Sequence, residues 1–319
     1  MAISKSQSFF EGLWYRPTPW WLWLFLPLQL LLRLVVFIRR SLYHIGWFKS
    51  TKLSKPVVVI GNITVGGTGK TPLSIYILQW LKDQGYQPGL VTRGYGGKAE
   101  NHPLVIDEDT SADISGDEPY LIFHQTKVPV VVDPVRSRGG QKLIDLGCDI
   151  IICDDGLQHY ALQRDLEVAV IDSARGLGNG WLMPMGPLRE PHSRLETVDI
   201  KVINGQSMHL EPLDYQGVGH DKPLDATVVD AVAAIGNPQR FFDTLNTLGL
   251  EVIPHVFPDH HQYQADDFED MKGPILMTEK DAVKCHHLAD DRMYYLPVKT
   301  RLTDNVEKEL QRLLKQLLN

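Results

Sequence analysis

Cysteine is scarce: Cys148, Cys153 and Cys285 are the only three in 319 residues. That number and scatter exclude a disulfide framework and a zinc site, and point to a reducing compartment. A basic surplus is missing as well. Lys and Arg total 32 against 39 Asp and Glu, a net charge of −7. Such a chain is a poor candidate for binding nucleic acid through its phosphate backbone. Internal repeats and low-complexity tracts are absent. Apolar residues are not lacking: at 43% apolar and 22% charged, the chain can bury a core for one large domain or two ordinary ones.

Acids are nearly absent from the first 55 residues. Glu11 stands alone against Lys5, Arg16, Arg33, Arg39, Arg40, Lys49, Lys52 and Lys55, so this arm carries +7 and the remainder −14. Five of the seven tryptophans lie in it: Trp14, Trp20, Trp21, Trp23 and Trp47. Basic and Trp-rich is the composition of a segment that meets a bilayer, with indoles at headgroup level and cations near anionic lipid. Trp20 to Ile38 spans 19 residues, broken by Pro27, Gln29 and Arg33. As a helix it would reach about 28 Å at ~1.5 Å per residue, close to one hydrocarbon core. No small-x-small cleavage pattern follows, which disfavours a secretory signal. A spanning helix would bury Arg33 at a cost of about 2.5–3.5 kcal/mol. An interfacial helix fits better, with Gln29, Arg33, Arg40 and His44 on one stripe. The expectation is a membrane-associating segment over 1–55, with spanning and surface-lying geometries both open.

Beyond Pro56 the pattern is α/β. Val57 to Ile60 reads as a buried strand, and 71–84 as a helix with Pro72 in its first turn and Gly85 as its stop. Further strands are expected at 89–92, 128–132, 149–153, 167–171 and 200–203, with helices near 117–126 and 136–146. Residues 205–225 read as polar and irregular. The alternation then resumes: strands 230–235, 252–256, 275–278 and 293–297, helices 238–248 and 265–272, and a C-terminal helix with Val306, Leu310, Leu313, Leu314 and Leu317 in one stripe. Strand–helix alternation implies a mostly parallel sheet covered on both faces. The expected division is the arm 1–55, a core 56–204 and a smaller C-terminal α/β lobe 205–319.

Thr64, Val65, Gly66, Gly67, Thr68, Gly69, Lys70 and Thr71 join the first strand to its helix. Small residues let backbone N–H groups wrap phosphates, the lysine reaches the β and γ oxygens, and the hydroxyl serves Mg²⁺. This is a P-loop for a nucleotide, with Thr64 in place of the usual first glycine. The glycine spacing excludes a dinucleotide fingerprint. Asp154 and Asp155 end an apolar strand, where an acid in this fold class orients Mg²⁺ or its waters. Either carboxylate suits that role. Asp117 and Glu118 open a helix, where acids commonly act as caps. Asp259, His260 and His261 suit a carboxylate-oriented histidine better than zinc, because adjacent histidines do not share a face. Arg93, Arg136 and Arg138 stand at or after strand ends, as surface ion pairs or as clamps on phosphate, and Arg189 lies in a proline-punctuated loop, 184–191.

Together the motifs resemble the tetraacyldisaccharide 4′-kinases, the lipid A 4′-kinase family of Gram-negative bacteria. The residues concerned are Gly61-Asn62, Val65-Gly-Gly-Thr-Gly-Lys-Thr-Pro72, Thr92-Arg-Gly-Tyr-Gly-Gly97, Gly116-Asp-Glu-Pro119, Asp154-Asp-Gly-Leu-Gln-His159, Gly186-Pro-Leu-Arg-Glu190, Asp259-His260 and Thr278-Glu-Lys-Asp-Ala282. The resemblance implies a P-loop NTPase-like fold and a reaction. ATP with Mg²⁺ phosphorylates the 4′-hydroxyl of a tetraacylated glucosamine disaccharide 1-phosphate, forming lipid IVA at the cytoplasmic face of the inner membrane. It implies Asp117 and His260 as the proton-handling pair, and Arg189 as a charge stabiliser. Thr71 with an acid among Asp154, Asp155 and Glu190 would hold Mg²⁺; Asn62, Arg93, Gln158 and His159 would contact the acceptor. Residues 1–45 would meet the membrane. The rival expectation is a membrane-associated P-loop ATPase that works as an assembly or partitioning switch.

Overall fold

Val57 to Ile60 and Ile150 to Ile152 are unbroken β-branched runs, suited to the middle of a sheet covered on both faces. The computed structural model, which describes residues 13–15 and 19–318, places them there. Residues 1–12 and 16–18 of the expected membrane segment, including Lys5, Glu11 and Arg16, lie outside the described residues.

The larger sheet holds β1 (Val57–Gly61), β2 (Pro88–Thr92), β3 (Leu104–Val105), β4 (Val130–Val132), β5 (Ile150–Asp154), β6 (Leu166–Asp172), β7 (Ile200–Asn204), β8 (Met208–Pro212) and β14 (Val298–Leu302). Its order is β14-β8-β7-β6-β1-β5-β2-β4-β3, parallel except at the β14–β8 and β3–β4 pairs. The smaller sheet holds β9 (Gln216–Gly217), β10 (Val228–Ala233), β11 (Glu251–Val256), β12 (Ile275–Thr278) and β13 (Met293–Leu296), in the order β11-β10-β12-β13-β9. Only β9 is antiparallel in it. The main helices are α1 (Leu26–His44), α2 (Lys70–Asp83), α3 (Asp117–Thr126), α4 (Arg136–Asp145), α5 (Pro238–Thr247), α6 (Glu279–Cys285) and α7 (Asp304–Leu318). Two clusters of buried side chains line opposite faces of the larger sheet, Val58 and Ile60 in one, Val57 and Val59 in the other.

Besides the two-residue β3, the sequence pattern fails in three places. Residues 205–225 contain β8 and β9; in β8 only Met208 is buried, so this strand, second from the sheet edge, reads as polar. β14 goes unseen because Pro297 separates it from β13 and its Lys299 and Arg301 are exposed. The expected helix at 265–272 is only a 3₁₀ turn, Ala265–Phe268. Within the expected 205–319 lobe, β8 and β14 join the larger sheet, and Leu310 and Leu314 of α7 are buried in its core.

The N-terminal arm is a 3₁₀ turn, Trp20–Phe25, running into α1. Its polar stripe is divided. Gln29 is buried against the body, Arg40 is half-buried, and Arg33 and His44 are exposed. Leu22 is also buried. The opposite face leaves Trp20, Leu24, Leu28, Leu31, Leu34, Val35, Phe37 and Ile38 exposed. Edge-to-face packing of Trp23 on Trp181, ring centroids 5.6 Å apart, and a tilted contact of Tyr43 with Tyr160 fasten the arm to the body.

Candidate active site

A loop leaving the end of β1 lies beside whatever ends the neighbouring strand. Ile60 is in register with Asp154, so Asp154 and Asp155 meet the P-loop that follows β1. Lys70, the first residue of α2, stands 3.4 Å from Asp155 Oδ1. Arg189 Nη1 donates to the same carboxylate at 3.2 Å. Burial opposes ionisation of Asp155, but Lys70 and Arg189 outweigh it and hold the carboxyl at about 2. Asp154 behaves oppositely. Burial, with repulsion from Glu118 and Asp155, pushes it up to about 7. Ser74 Oγ donates to Asp154 Oδ1 at 3.2 Å, while Oδ2 is buried without a partner.

The loop is built to face a ligand. Asn62 Nδ2 donates to the Gly66 carbonyl at 3.4 Å, and Asn204 Nδ2 to the Thr68 carbonyl at 3.1 Å. Thr64 bridges to Leu188, and the Val65 N–H donates to the Pro187 carbonyl at 2.8 Å. Asn62 Oδ1 and Thr68 Oγ1 are buried without partners. Gly67 is exposed, and Gly66, Gly69 and Thr71 are half-buried around the N-terminus of α2. Loop amides, helix dipole and Lys70 thus converge on one anion site.

Asp117 starts α3 and is 3% exposed. His260 approaches it from the smaller-sheet lobe, with Nδ1 3.1 Å from Asp117 Oδ2. His260 has φ +61°, a conformation costly for a side chain other than glycine and held here by its surroundings. The turn after β2 fits tightly under α3. A Cβ on Gly94 (φ +70°) would stand 2.3 Å from Val132, and one on Gly116 would stand 2.8 Å from the Tyr95 carbonyl. This packing sets Tyr95 beside His260, rings 4.9 Å apart. His261 takes no part: its Nε2 is 2.8 Å from Asp267, and its ring packs on Phe257 and Tyr263.

Spacing along the chain missed several neighbours. Lys280 of α6 is 3.2 Å from Glu118 and 3.3 Å from Asp259, and Lys284 is 3.9 Å from Asp117 and 2.8 Å from Asp281. Burial would lower Lys280, yet Glu118 and Asp259 hold it above the ordinary lysine range. Residues 162 positions apart in sequence meet here. The only signal was the unassigned run Thr278 to Ala282.

Gln158 Nε2 donates to the Asn62 carbonyl and to Glu190 Oε2, both at 3.0 Å, and the Tyr160 hydroxyl donates to Glu190 Oε1. Both Glu190 oxygens are therefore engaged, and Arg194 Nε lies 3.8 Å away. His159 sits in a cationic surround. Burial first, then Arg136, Arg164, Arg39 and Arg93, depress its imidazole to about 4. Arg93 is exposed; Arg136 is buried with Nε unpartnered. Arg138 instead pairs with buried Asp133 at 2.7 Å.

The model of the tetraacyldisaccharide-1-P 4′-kinase family matches residues 21–318. A tetraacyldisaccharide 4′-kinase of Psychromonas ingrahamii is 46% identical over 317 residues, covering 95% of this chain and 98% of the relative. One from Tolumonas auensis is 45% identical, covering 96% and 98%. The crystal structure of LpxK from Aquifex aeolicus in complex with ATP superposes with a TM-score of 0.77 at 28% identity, covering 92% of this chain and 98% of that one. The nucleotide loop, the acidic strand end and the Asp117–His260 pair thus lie in a chain that belongs to the tetraacyldisaccharide-1-P 4′-kinase family.

Proposed function

We propose that this protein transfers the γ-phosphoryl group of ATP to the 4′-hydroxyl of a tetraacylated glucosamine disaccharide 1-phosphate at a membrane surface. The observation that carries the reading is the Asp117–His260 pair, 3.1 Å apart, beside a P-loop with its lysine in place. Hydrolysis needs only a positioned water, whereas transfer to an alcohol needs a base that reaches a second substrate. Asp117 accepts the hydroxyl proton, and His260 fixes that carboxylate and shares its charge. Lys70 and the amides from Thr64 to Gly69 hold the triphosphate. Arg189, tied to Asp155, reaches the transferring group once the nucleotide competes for its charge.

The residues present suit Mg²⁺. Asp154 Oδ2 is a buried oxygen without a partner, and Thr71 offers a hydroxyl at the loop end. Among the described residues no group of three His, Cys, Asp or Glu would hold an ion alone. Mg²⁺ at such a site would complete its shell with phosphate oxygens and water. Thr71 and Asp154 would hold it, with Asp155 beside them; Glu190 would join only by giving up a bond to Gln158 or Tyr160. Bound there, Mg²⁺ would neutralise charge on the β and γ oxygens.

Asn62, Gln158 and His159, with Arg93 and Arg136, form the acceptor side. Arginines around a neutral imidazole suit the acceptor's 1-phosphate. The arm supplies the membrane contact. A helix docked on the body along one stripe keeps an apolar face for lipid but is not free to be surrounded by it, which favours lying at the cytoplasmic surface over spanning. The unit 56–204 then carries the nucleotide, and the lobe within 205–319 brings His260.

The test is kinetic. Asp117→Ala should lower kcat by about 10²–10⁴ while ATP affinity stays within about threefold. Lys70→Ala should impair both. A near-normal kcat in Asp117→Ala contradicts the proposal.

A further inference from the structure

Lys70 and Arg189 are both tied to Asp155. A third cation stands over the P-loop, and the mechanism above does not use it. Arg175 lies in the loop after β6, where Asp172 Oδ1 accepts from the Ala174 and Arg175 N–H groups at 2.9 and 3.0 Å. Its guanidinium reaches the middle of the P-loop. A Cβ on Gly66, which has φ +99°, would stand 2.7 Å from Arg175 Nη1. Among the described residues no carboxylate pairs with Arg175. Its other contacts are the Gly236 carbonyl, to which Nη2 donates, and the Tyr15 ring 5.4 Å away.

Gly236 follows β10 in the smaller-sheet lobe. A Cβ there would stand 2.5 Å from the Gly67 N–H nitrogen, so this turn lies directly on the loop. Arg240, one helical turn on, pairs with Asp172 at 3.0 Å. The second lobe therefore clamps both the loop that carries Arg175 and the P-loop beneath it. A guanidinium without a carboxylate, aimed at a glycine of an anion-wrapping loop and steadied by the opposite lobe, is arranged to meet phosphate oxygens.

We propose that Arg175 is an arginine finger supplied in cis: when the Gly236 turn is seated on the P-loop, its guanidinium bonds the γ-phosphoryl oxygens of ATP during transfer. This rests on the kinase reading above. The bond from the γ-phosphorus to the β-bridging oxygen breaks, and its electron pair leaves on ADP. The bond to the acceptor oxygen forms, and the acceptor proton goes to Asp117. Arg175 neither gives nor takes a proton; it neutralises charge that spreads over the three equatorial oxygens.

The experiment uses the full chain in mixed micelles with acceptor lipid and labelled ATP. Arg175→Ala and Arg175→Lys are compared with wild type for kcat, KM for ATP, ATP affinity by titration, and Tm. Fingers contribute about 10³–10⁵ in related chemistry. The expected result is a kcat loss of at least tenfold in both variants, ATP affinity changed by a smaller factor than kcat, and partial recovery of Arg175→Ala by millimolar guanidinium. A kcat within tenfold of wild type, a loss matched by equal loss of ATP affinity, or no guanidinium recovery overturns the proposal. If the alanine variant does not fold, the lysine variant decides by the same kcat criterion, since it keeps the stem and its packing. Wild-type transfer is measured first: failure there sinks the kinase reading, whereas failure only in the Arg175 comparison sinks the finger alone.

Discussion

Burial, with four arginines around it, keeps the His159 imidazole neutral, with a pKa of about 4. Unfolded, the same group titrates near ~6.5. Between those values the unfolded chain binds more protons, so stability contributed here is present above pH ~6.5 and lost as pH falls toward 4. Tm should drop over that window, and His159→Asn should flatten part of the drop. Binding of the phosphorylated acceptor among the arginines should raise the His159 pKa, read from its ring-proton NMR shift; an unmoved pKa contradicts a phosphate there. At this scale the sequence was partly legible. Lys70 and Thr71 followed from the loop motif alone. Asp117 by itself was indistinguishable from a helix cap, because its partners His260 and Lys284 come from another lobe. Asp154 and Asp155 look alike along the chain; the structure shows Asp155 engaged by two cations and Asp154 with a bare oxygen.

The elements most legible in the sequence were those buried on both faces. β1, β5 and β6 are buried almost throughout, and a continuous β-branched run has few other folds available to it. Strands at and next to the sheet edge were least legible, because β8 and β14 are exposed along much of their length and pair with each other antiparallel. The arm is an intermediate case. Its composition suggests a membrane contact, and the expectation is an interfacial helix with Gln29, Arg33, Arg40 and His44 on one polar stripe. Gln29 instead turns to the body and leaves the apolar face outward. Replacing Leu24, Leu28, Leu31 and Leu34 together with serine should therefore cut co-sedimentation with anionic vesicles at least about tenfold, since each buried side chain is worth ~1.5–3 kcal/mol. ATP affinity should not change. Unaltered sedimentation would mean the membrane contact lies elsewhere. Substitution is cleaner than truncation here, because removing the arm also removes Trp23 from Trp181 and Tyr43 from Tyr160.

Over the whole molecule, two sheets meet across one site. Asp117 meets His260, Glu118 meets Lys280, Gln125 Nε2 donates to Glu279, and Asp172 meets Arg240, each pair joining the larger-sheet lobe to the smaller. The nucleotide loop belongs to the larger-sheet lobe, with the Gly236 turn of the other lobe lying on it. In the reading proposed above, the acceptor base Asp117 draws on groups from both lobes, and closing around substrates is how such sites exclude water. Lys280→Met, which releases Glu118 and Asp259, should lower kcat by about tenfold or more while ATP affinity stays within about threefold. Equal losses in both would place Lys280 in nucleotide binding instead. Apart from Asp117–His260, which the family resemblance implied, none of these interlobe pairs was visible along the chain, because charge pairing depends on topology that spacing does not encode. The overall charge of −7 likewise concealed a basic arm on an acidic body.

The most direct measurement supplies γ-labelled ATP, Mg²⁺ and the tetraacylated disaccharide 1-phosphate in vesicles to the full chain, and follows where the label goes. Transfer places it in the lipid phase as a phosphomonoester on the 4′ oxygen, at a rate that depends on Asp117. Label recovered only as inorganic phosphate, at a rate indifferent to the lipid, would contradict the kinase assignment.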